Sequence, residues 1–129
     1  MEREDLVRRA IDAVNARDVD GYLACCTDDV ELITPVAAVG GSYDGPEGIR
    51  RFFADIEDAG PDFRLEVERL ELVGERVLAF VLIRASGRSS GISMDQETAN
   101  VYEFEGDRLR RVRIYTDRPT AAAAVRAAD

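Results

Sequence analysis

The segment Ala13–Leu23, AVNARDVDGYL, decides the fold of this chain. Apolar residues at helical spacing precede it from Glu4, and the turn-forming residues in its middle separate that helix from a short second one that includes Gly21. An apolar run then begins at Val30 and ends before Pro35, as a strand does. The opening of the chain therefore predicts a long helix, a sharp turn, a short helix and a strand.

The rest of the chain predicts a third helix, several strands and a last helix. Pro46 lies in the first turn of the third helix, where proline is favoured. Asp117 or Thr116 suits the N-cap of a helix from Pro119 to Ala128. Between these helices, turn sequences separate strands over residues 63–68, 77–85, 92–105 and 109–115. Helices followed by a curved antiparallel sheet indicate the α+β class, and the length of 129 residues indicates one domain, 1–129.

Composition excludes several classes of function. The chain has 17 basic and 26 acidic residues, a net charge of −9, which disfavours nucleic acid and anionic membrane surfaces as partners. Its apolar runs fall short of the roughly 20 residues that span a bilayer, and its N-terminus is charged, so a cytoplasmic protein is expected. The two cysteines, Cys25 and Cys26, are adjacent and the chain has no histidine, so neither a disulfide, a metal site nor a cofactor is expected.

The strand from Val77 to Ile83 is apolar on both faces, although a sheet with one face in water shows alternation. Helices of so small a chain are expected to cover only one face. We therefore expect Leu78, Phe80 and Leu82 to form a homodimer contact through the outer face of the sheet.

Arginines mark the last strand. Arg111 and Arg113 share a face with Tyr115, and Glu103 and Glu105 on the preceding strand are placed to pair with them. Salt bridges on the sheet surface are the expected role of these arginines.

Four segments together resemble the nuclear transport factor 2-like superfamily, most of all its SnoaL-like, polyketide cyclase-like branch, with distant similarity to ketosteroid isomerase and limonene epoxide hydrolase. The segments are Asn15–Leu23, Thr27–Val30, Tyr43–Phe53 and Arg113–Asp117. The resemblance implies a cone of N-terminal helices wrapped by a curved, cystatin-like sheet, with a deep and mostly apolar pocket and commonly a homodimer. Because this fold hosts enzymes and binding modules alike, function has to be argued from the pocket residues.

The resemblance places uncharged residues where the enzymatic relatives keep their acids and bases. The general base of the isomerase aligns with Thr34, its tyrosine with Ala10 and its protonated aspartate with Asn100. The acid on the last strand of the hydrolase and the cyclases aligns with Ile114 or, on another register, with Arg113. A hydroxyl or an alkyl group cannot replace a carboxylate in proton transfer.

A small apolar ligand, bound without acid/base chemistry, is the function that these positions favour. The alternative is a cyclase, isomerase or epoxide hydrolase that uses a carboxylate such as Asp95 or Glu97, which a slip of one residue in the strand would bring inside. Catalytic residues stay unassigned, and a collapsed pocket is a third possibility. Five residues are expected to contact the ligand, the second of them from a loop at the pocket opening: Thr34, Tyr43, Asn100, Tyr102 and Ile114.

Overall fold

A computed structural model describes residues 2–35, 41–86 and 93–127. Its helices are α1 (Arg3–Ala16), α2 (Val19–Ala24), α3 (Gly45–Ala59) and α4 (Arg118–Arg126). Its strands are β1 (Cys26–Thr34), β2 (Gly41–Asp44), β3 (Arg64–Val73), β4 (Arg76–Ser86), β5 (Ser93–Glu105) and β6 (Arg108–Tyr115). The hairpin turn expected at residues 87–91 lies outside the described residues. The predicted α+β class is confirmed.

The strands form one sheet in the order β2-β1-β6-β5-β4-β3. Neighbouring strands pair antiparallel except β1 and β6, which run parallel, with Leu32 opposite Val112. Two parallel neighbouring strands cannot be joined by a tight turn. Here the segment from β2 to β5 connects the end of β1 to the start of β6. The first and last long strands therefore lie side by side.

The segment between α1 and α2 is held by side chains that bond to the backbone. Arg17 adopts a left-handed conformation, with φ of 57°, which ends α1. The Asp18 carboxylate accepts a hydrogen bond from the Gly21 N–H at 2.9 Å and caps α2. A Cβ at Gly21 would lie 2.3 Å from the Asp18 carboxylate, so a larger residue there would displace the capping side chain. These contacts explain the turn that the opening segment predicts.

Helices α1, α2 and α3 pack on the inner face of the sheet and enclose the main core. On β5, Thr98, Asn100 and Tyr102 are buried on this inner face, whereas Gln96, two residues before Thr98, is exposed. The Cα partners of the three buried residues on β4 are Val81, Ala79 and Val77.

Part of the outer face of the sheet, on β4, β5 and β6, is covered by α4, contrary to the expectation that helices reach only one face. Leu78 is fully buried in a second apolar cluster together with Ala121 and Val125 of α4. Phe80 lies between two guanidinium groups, at 4.5 Å from Arg69 and 5.4 Å from Arg118. Leu78 is thus covered within the chain and unavailable to a partner. The homodimer itself stays a prediction.

Candidate functional site

Polar side chains lie together on the inner face of the sheet, and we call Tyr22, Cys26, Asn100 and Tyr102 the interior cluster. Each of the four residues is 3% exposed or less. The Asn100 amide donates to the Tyr102 hydroxyl at 3.3 Å, and the Cys26 thiol donates to the Tyr22 carbonyl at 3.3 Å. Among the described residues, nothing hydrogen-bonds the buried Asn100 Oδ1. That oxygen is a buried acceptor without a partner among the described residues.

Burial keeps the ionisable members of the interior cluster neutral. It raises the pKa of Tyr22 well above 10, and the nearby Cys26 adds to that rise. It raises the pKa of Tyr102 to about 12, although the hydrogen bond from Asn100 acts in the opposite direction. The pKa of Cys26 is raised to about 12 for the same reason. At neutral pH these groups are hydrogen-bonding partners, unsuited to act as bases.

The two suspected carboxylates lie outside the core. Asp95 is exposed and opposite Arg84, and Glu97 is exposed and opposite Leu82 on the outer face. The Glu97 carboxylate lies 3.6 Å from the Arg118 guanidinium. Within residues 2–35, 41–86 and 93–127, no Asp or Glu is buried. The register that would bring either carboxylate inside is not the one the chain adopts.

Asp95 does line a cavity of about 750 Å³ between the end of α1 and the ends of strands β3 to β5. Asp12, Asn15, Arg64 and Arg84 contribute to the same wall. This cavity carries charges of both signs, and its aspartates are exposed. It differs from the apolar pocket that the sequence predicts.

Tyr43 does not close a loop over the pocket, which corrects the sequence-based expectation. It lies in β2, is 2% exposed and donates from its hydroxyl to the Asp55 carboxylate of α3 at 2.5 Å. Its ring meets Phe52 edge-on at 5.4 Å, and the Arg51 guanidinium lies 5.1 Å from it. Tyr43 therefore joins β2 to α3 from within the core.

A cavity of about 430 Å³ lies where β1 and β6 end beside the start of α4, and we call it the rim cavity. It brings together two of the predicted site residues, Thr34 and Ile114. Ile114 is the Cα partner of Asn100, so the interior cluster begins one strand away. Ile33, Pro35 and Tyr115 supply the rest of a mostly apolar wall.

Among the described residues, four polar ones that line the rim cavity were not predicted as ligand contacts: Arg113, Thr116, Asp117 and Thr120. Arg113 stands at its opening, exposed, with the guanidinium 5.7 Å from the Tyr115 ring. From α4, the Thr120 hydroxyl lines the cavity and donates to the Asp117 carboxylate. The Arg113 guanidinium is the one cationic group on this wall.

Most of the chain matches one known family. Residues 7–112 match the family described as the SnoaL-like domain. This chain belongs to the SnoaL-like domain family. No match exists among functionally curated proteins.

Solved structures of proteins from other organisms share the fold of this SnoaL-like domain. An NTF2-like protein of unknown function from Burkholderia pseudomallei is 24% identical, with 98% of this chain and 97% of that one covered and a TM-score of 0.79. A putative SnoaL-like polyketide cyclase from Jannaschia is 17% identical over 98% and 93% of the chains, with a TM-score of 0.74. A Mycobacterium tuberculosis protein in complex with estradiol-17beta-hemisuccinate is 18% identical over 85% and 89%, with a TM-score of 0.70. At these identities the likeness establishes the fold alone.

Two kinds of feature are absent from the described parts of this SnoaL-like domain. No group of three or more His, Cys, Asp or Glu side chains within residues 2–35, 41–86 and 93–127 is placed to hold a metal ion. In the same ranges, no helix has the length and apolar character needed to cross a membrane.

Proposed function

We propose that this SnoaL-like domain binds a small apolar molecule in the rim cavity, without the acid/base residues of its enzymatic relatives. The observation that carries the proposal is a mostly apolar cavity of about 430 Å³ that contains Thr34 and Ile114. Buried hydrogen-bonding groups of Asn100 and Tyr102 lie one strand further in. Apolar walls with a few polar groups are typical of small-molecule sites.

The expected affinity is modest. A ligand that buries about 300 Å² of apolar surface gains about 7.5 kcal/mol at about 25 cal/mol per Å². Lost freedom of the ligand opposes this by at least about 4 kcal/mol. Burial alone therefore supports roughly millimolar binding. Hydrogen bonds to polar groups of the cavity wall are needed for tighter binding.

The M. tuberculosis neighbour, which holds estradiol-17beta-hemisuccinate, is consistent with a ligand-binding role for the fold. The putative polyketide cyclase is consistent with an enzymatic one. The exposed positions of Asp95 and Glu97 weigh for binding, since burial is what tunes a carboxyl group for proton transfer.

The test is a titration with the neutral fluorescent dye N-phenyl-1-naphthylamine. Thr120→Phe fills the rim cavity from α4, and Ala123→Phe adds the same ring to an exposed position of α4 that does not line the cavity. We expect the wild type and Ala123→Phe to bind one dye per chain, and Thr120→Phe to bind it at least about tenfold more weakly, because the ring occupies the dye's volume. Thermal unfolding should shift upward with dye only in the first two proteins.

The proposal is wrong if the dye does not bind, or if both phenylalanine variants bind it equally. Turnover of an epoxide or an enolisable ketone by the purified protein would favour the enzymatic alternative. In that case Asp95→Asn and Glu97→Gln would identify the carboxylate, since each removes a proton acceptor and keeps its shape.

A further inference from the structure

We propose that the ligand of the rim cavity is an apolar acid, and that Arg113 binds its anionic group at the cavity opening. This inference rests on the proposed function, because it names the chemical class of the molecule in the same cavity. It goes beyond the proposed function, because the positive charge of Arg113 at the cavity opening then favours apolar molecules that carry an acid group over those that do not.

The first support is the contrast between Arg113 and its neighbours on β6. Arg110 lies 3.2 Å from the Asp29 carboxylate and 3.1 Å from that of Glu31. Arg111 lies 3.2 Å from Glu31 and 3.7 Å from Glu103. Among the residues that the structure describes, no carboxylate lies within ion-pairing distance of Arg113.

The sheet register explains why Arg113 lacks the glutamate partner that the sequence predicts. An irregularity in the pairing of β5 with β6 lies between Glu103 and Phe104. On the regular side of that irregularity Glu103 lies opposite Arg111 and apolar Val101 lies opposite Arg113, and on the turn side Glu105 lies opposite Arg108. The absence of a carboxylate opposite Arg113 therefore follows from the pairing of β5 with β6.

The geometry of Arg113 suits an anion beside an apolar body. The guanidinium stands 5.7 Å from the Tyr115 ring centroid, and stacking on a ring leaves the in-plane N–H donors available to a carboxylate. Ile33, the Cα partner of Arg113 on β1, and Ile114, which follows it, line the same cavity. Because Ile33 shares a face of the sheet with Arg113, one molecule can place its rings on Ile33 and its acid group on the arginine.

Two features act against an anion in this cavity. The net charge of −9 repels anions at long range, but salt screens exposed charges beyond about 8 Å at physiological ionic strength. Asp117 lines the same cavity, where its carboxylate accepts a hydrogen bond from Thr120 and lies beyond ion-pairing distance of Arg113. Affinity for the acid group should therefore be moderate and should fall as salt is added.

The test compares two dyes that differ only by an acid group, the neutral N-phenyl-1-naphthylamine and its sulfonate, 8-anilinonaphthalene-1-sulfonate. Arg113→Gln removes the proposed contact, and Arg50→Gln makes the same change of charge at an exposed position on α3 away from the cavity. We expect the wild type to bind the sulfonate roughly five- to tenfold more tightly than the neutral dye, with an advantage that shrinks in high salt.

Arg113→Gln should remove that advantage and leave the neutral dye bound within about twofold, which also shows that the variant is folded. Arg50→Gln should bind both dyes as the wild type does, and Arg113→Lys should keep part of the preference. Equal binding of the two dyes by the wild type, or an unchanged preference in Arg113→Gln, overturns this inference and leaves the proposed function standing. If neither dye binds, the proposed function fails and this inference fails with it.

Discussion

Asn15, at the end of α1, uses both polar atoms of its amide on one residue of a distant strand. Its Nδ2 donates to the Leu65 carbonyl and its Oδ1 accepts from the Leu65 N–H, each at 2.8 Å. The side chain thus acts as the missing neighbour of β3, which is the last strand of the sheet. An edge residue whose backbone groups are already satisfied cannot pair with another chain at that point.

Replacing Asn15 tests this role. Asn15→Ala should lower the free energy of unfolding by about 1 to 3 kcal/mol, because two partly buried backbone groups lose their partner. Urea unfolding monitored by circular dichroism measures the change. Asp12→Ala, at an exposed position on the same helix, should change stability by less than about 0.5 kcal/mol. Equal effects of the two substitutions would contradict the bridging role of Asn15.

At the scale of elements, α4 depends on the contacts of its first residue, Arg118. The guanidinium donates from Nε to the Thr98 carbonyl at 3.1 Å, forms an ion pair with Glu68 and lies over the Phe80 ring. These contacts connect the start of α4 to β5, β3 and β4. The apolar cluster around Leu78 stays dry only while the helix is in place.

Loss of Arg118 should therefore loosen the whole helix. Arg118→Ala should lower the free energy of unfolding by about 1.5 to 3 kcal/mol, the usual range for hydrogen bonds of a charged group. Amide hydrogen exchange should become faster along α4 and at Leu78 and Ala99. Arg126→Ala is the matched control, because Arg126 donates at 2.8 Å only to Ala122 in its own helix. Unchanged exchange in α4 of the Arg118 variant would show that apolar packing alone holds the helix.

For the molecule as a whole, the buried thiol and phenols predict a stability that falls in alkaline solution. The pKa of Cys26 rises from 9.0 to about 12 by burial, and the pKa values of Tyr43 and Tyr102 rise from 10.0 to about 12 for the same first reason. A raised pKa means that folding favours the protonated group. Each group therefore contributes fully to the free energy of unfolding at pH values below its pKa in the unfolded chain. This contribution is lost as the pH rises through its pKa in the folded protein.

Stability should consequently be level near neutral pH and should decline from about pH 9 upward, by about 1.4 kcal/mol per pH unit for each group that ionises only on unfolding. Urea unfolding at a series of pH values measures the decline. Cys26→Ala should flatten the stability profile between about pH 9 and 10, because in the unfolded chain the thiol ionises at a lower pH than the phenols. A flat profile from neutral pH to pH 11 in the wild type would contradict the burial of these groups.

Sequence by itself determined the order of the helices and of the strands other than β2, the inward position of Asn100 and Tyr102, and the uncharged character of Thr34, Asn100 and Ile114. Helical and strand periodicity are local properties, so a single chain displays them. Turn residues such as Asp18 and Gly21 act within three positions of each other, and their effect was equally visible.

Tertiary structure alone decided what each surface and side chain meets. Leu78 lies under α4, Tyr43 donates a hydrogen bond to Asp55 within the core, and Arg113 lies opposite Val101 and not opposite a glutamate. Each outcome depends on a distant contact or on an irregular step in the sheet. One such irregularity shifts every residue pair beyond it between the two strands, and the hydrophobic pattern of the sequence does not reveal it. The rim cavity was therefore predicted only in part. Alternation along β1 and β6 indicated its apolar wall, whereas the position of the Arg113 charge depends on how β5 pairs with β6.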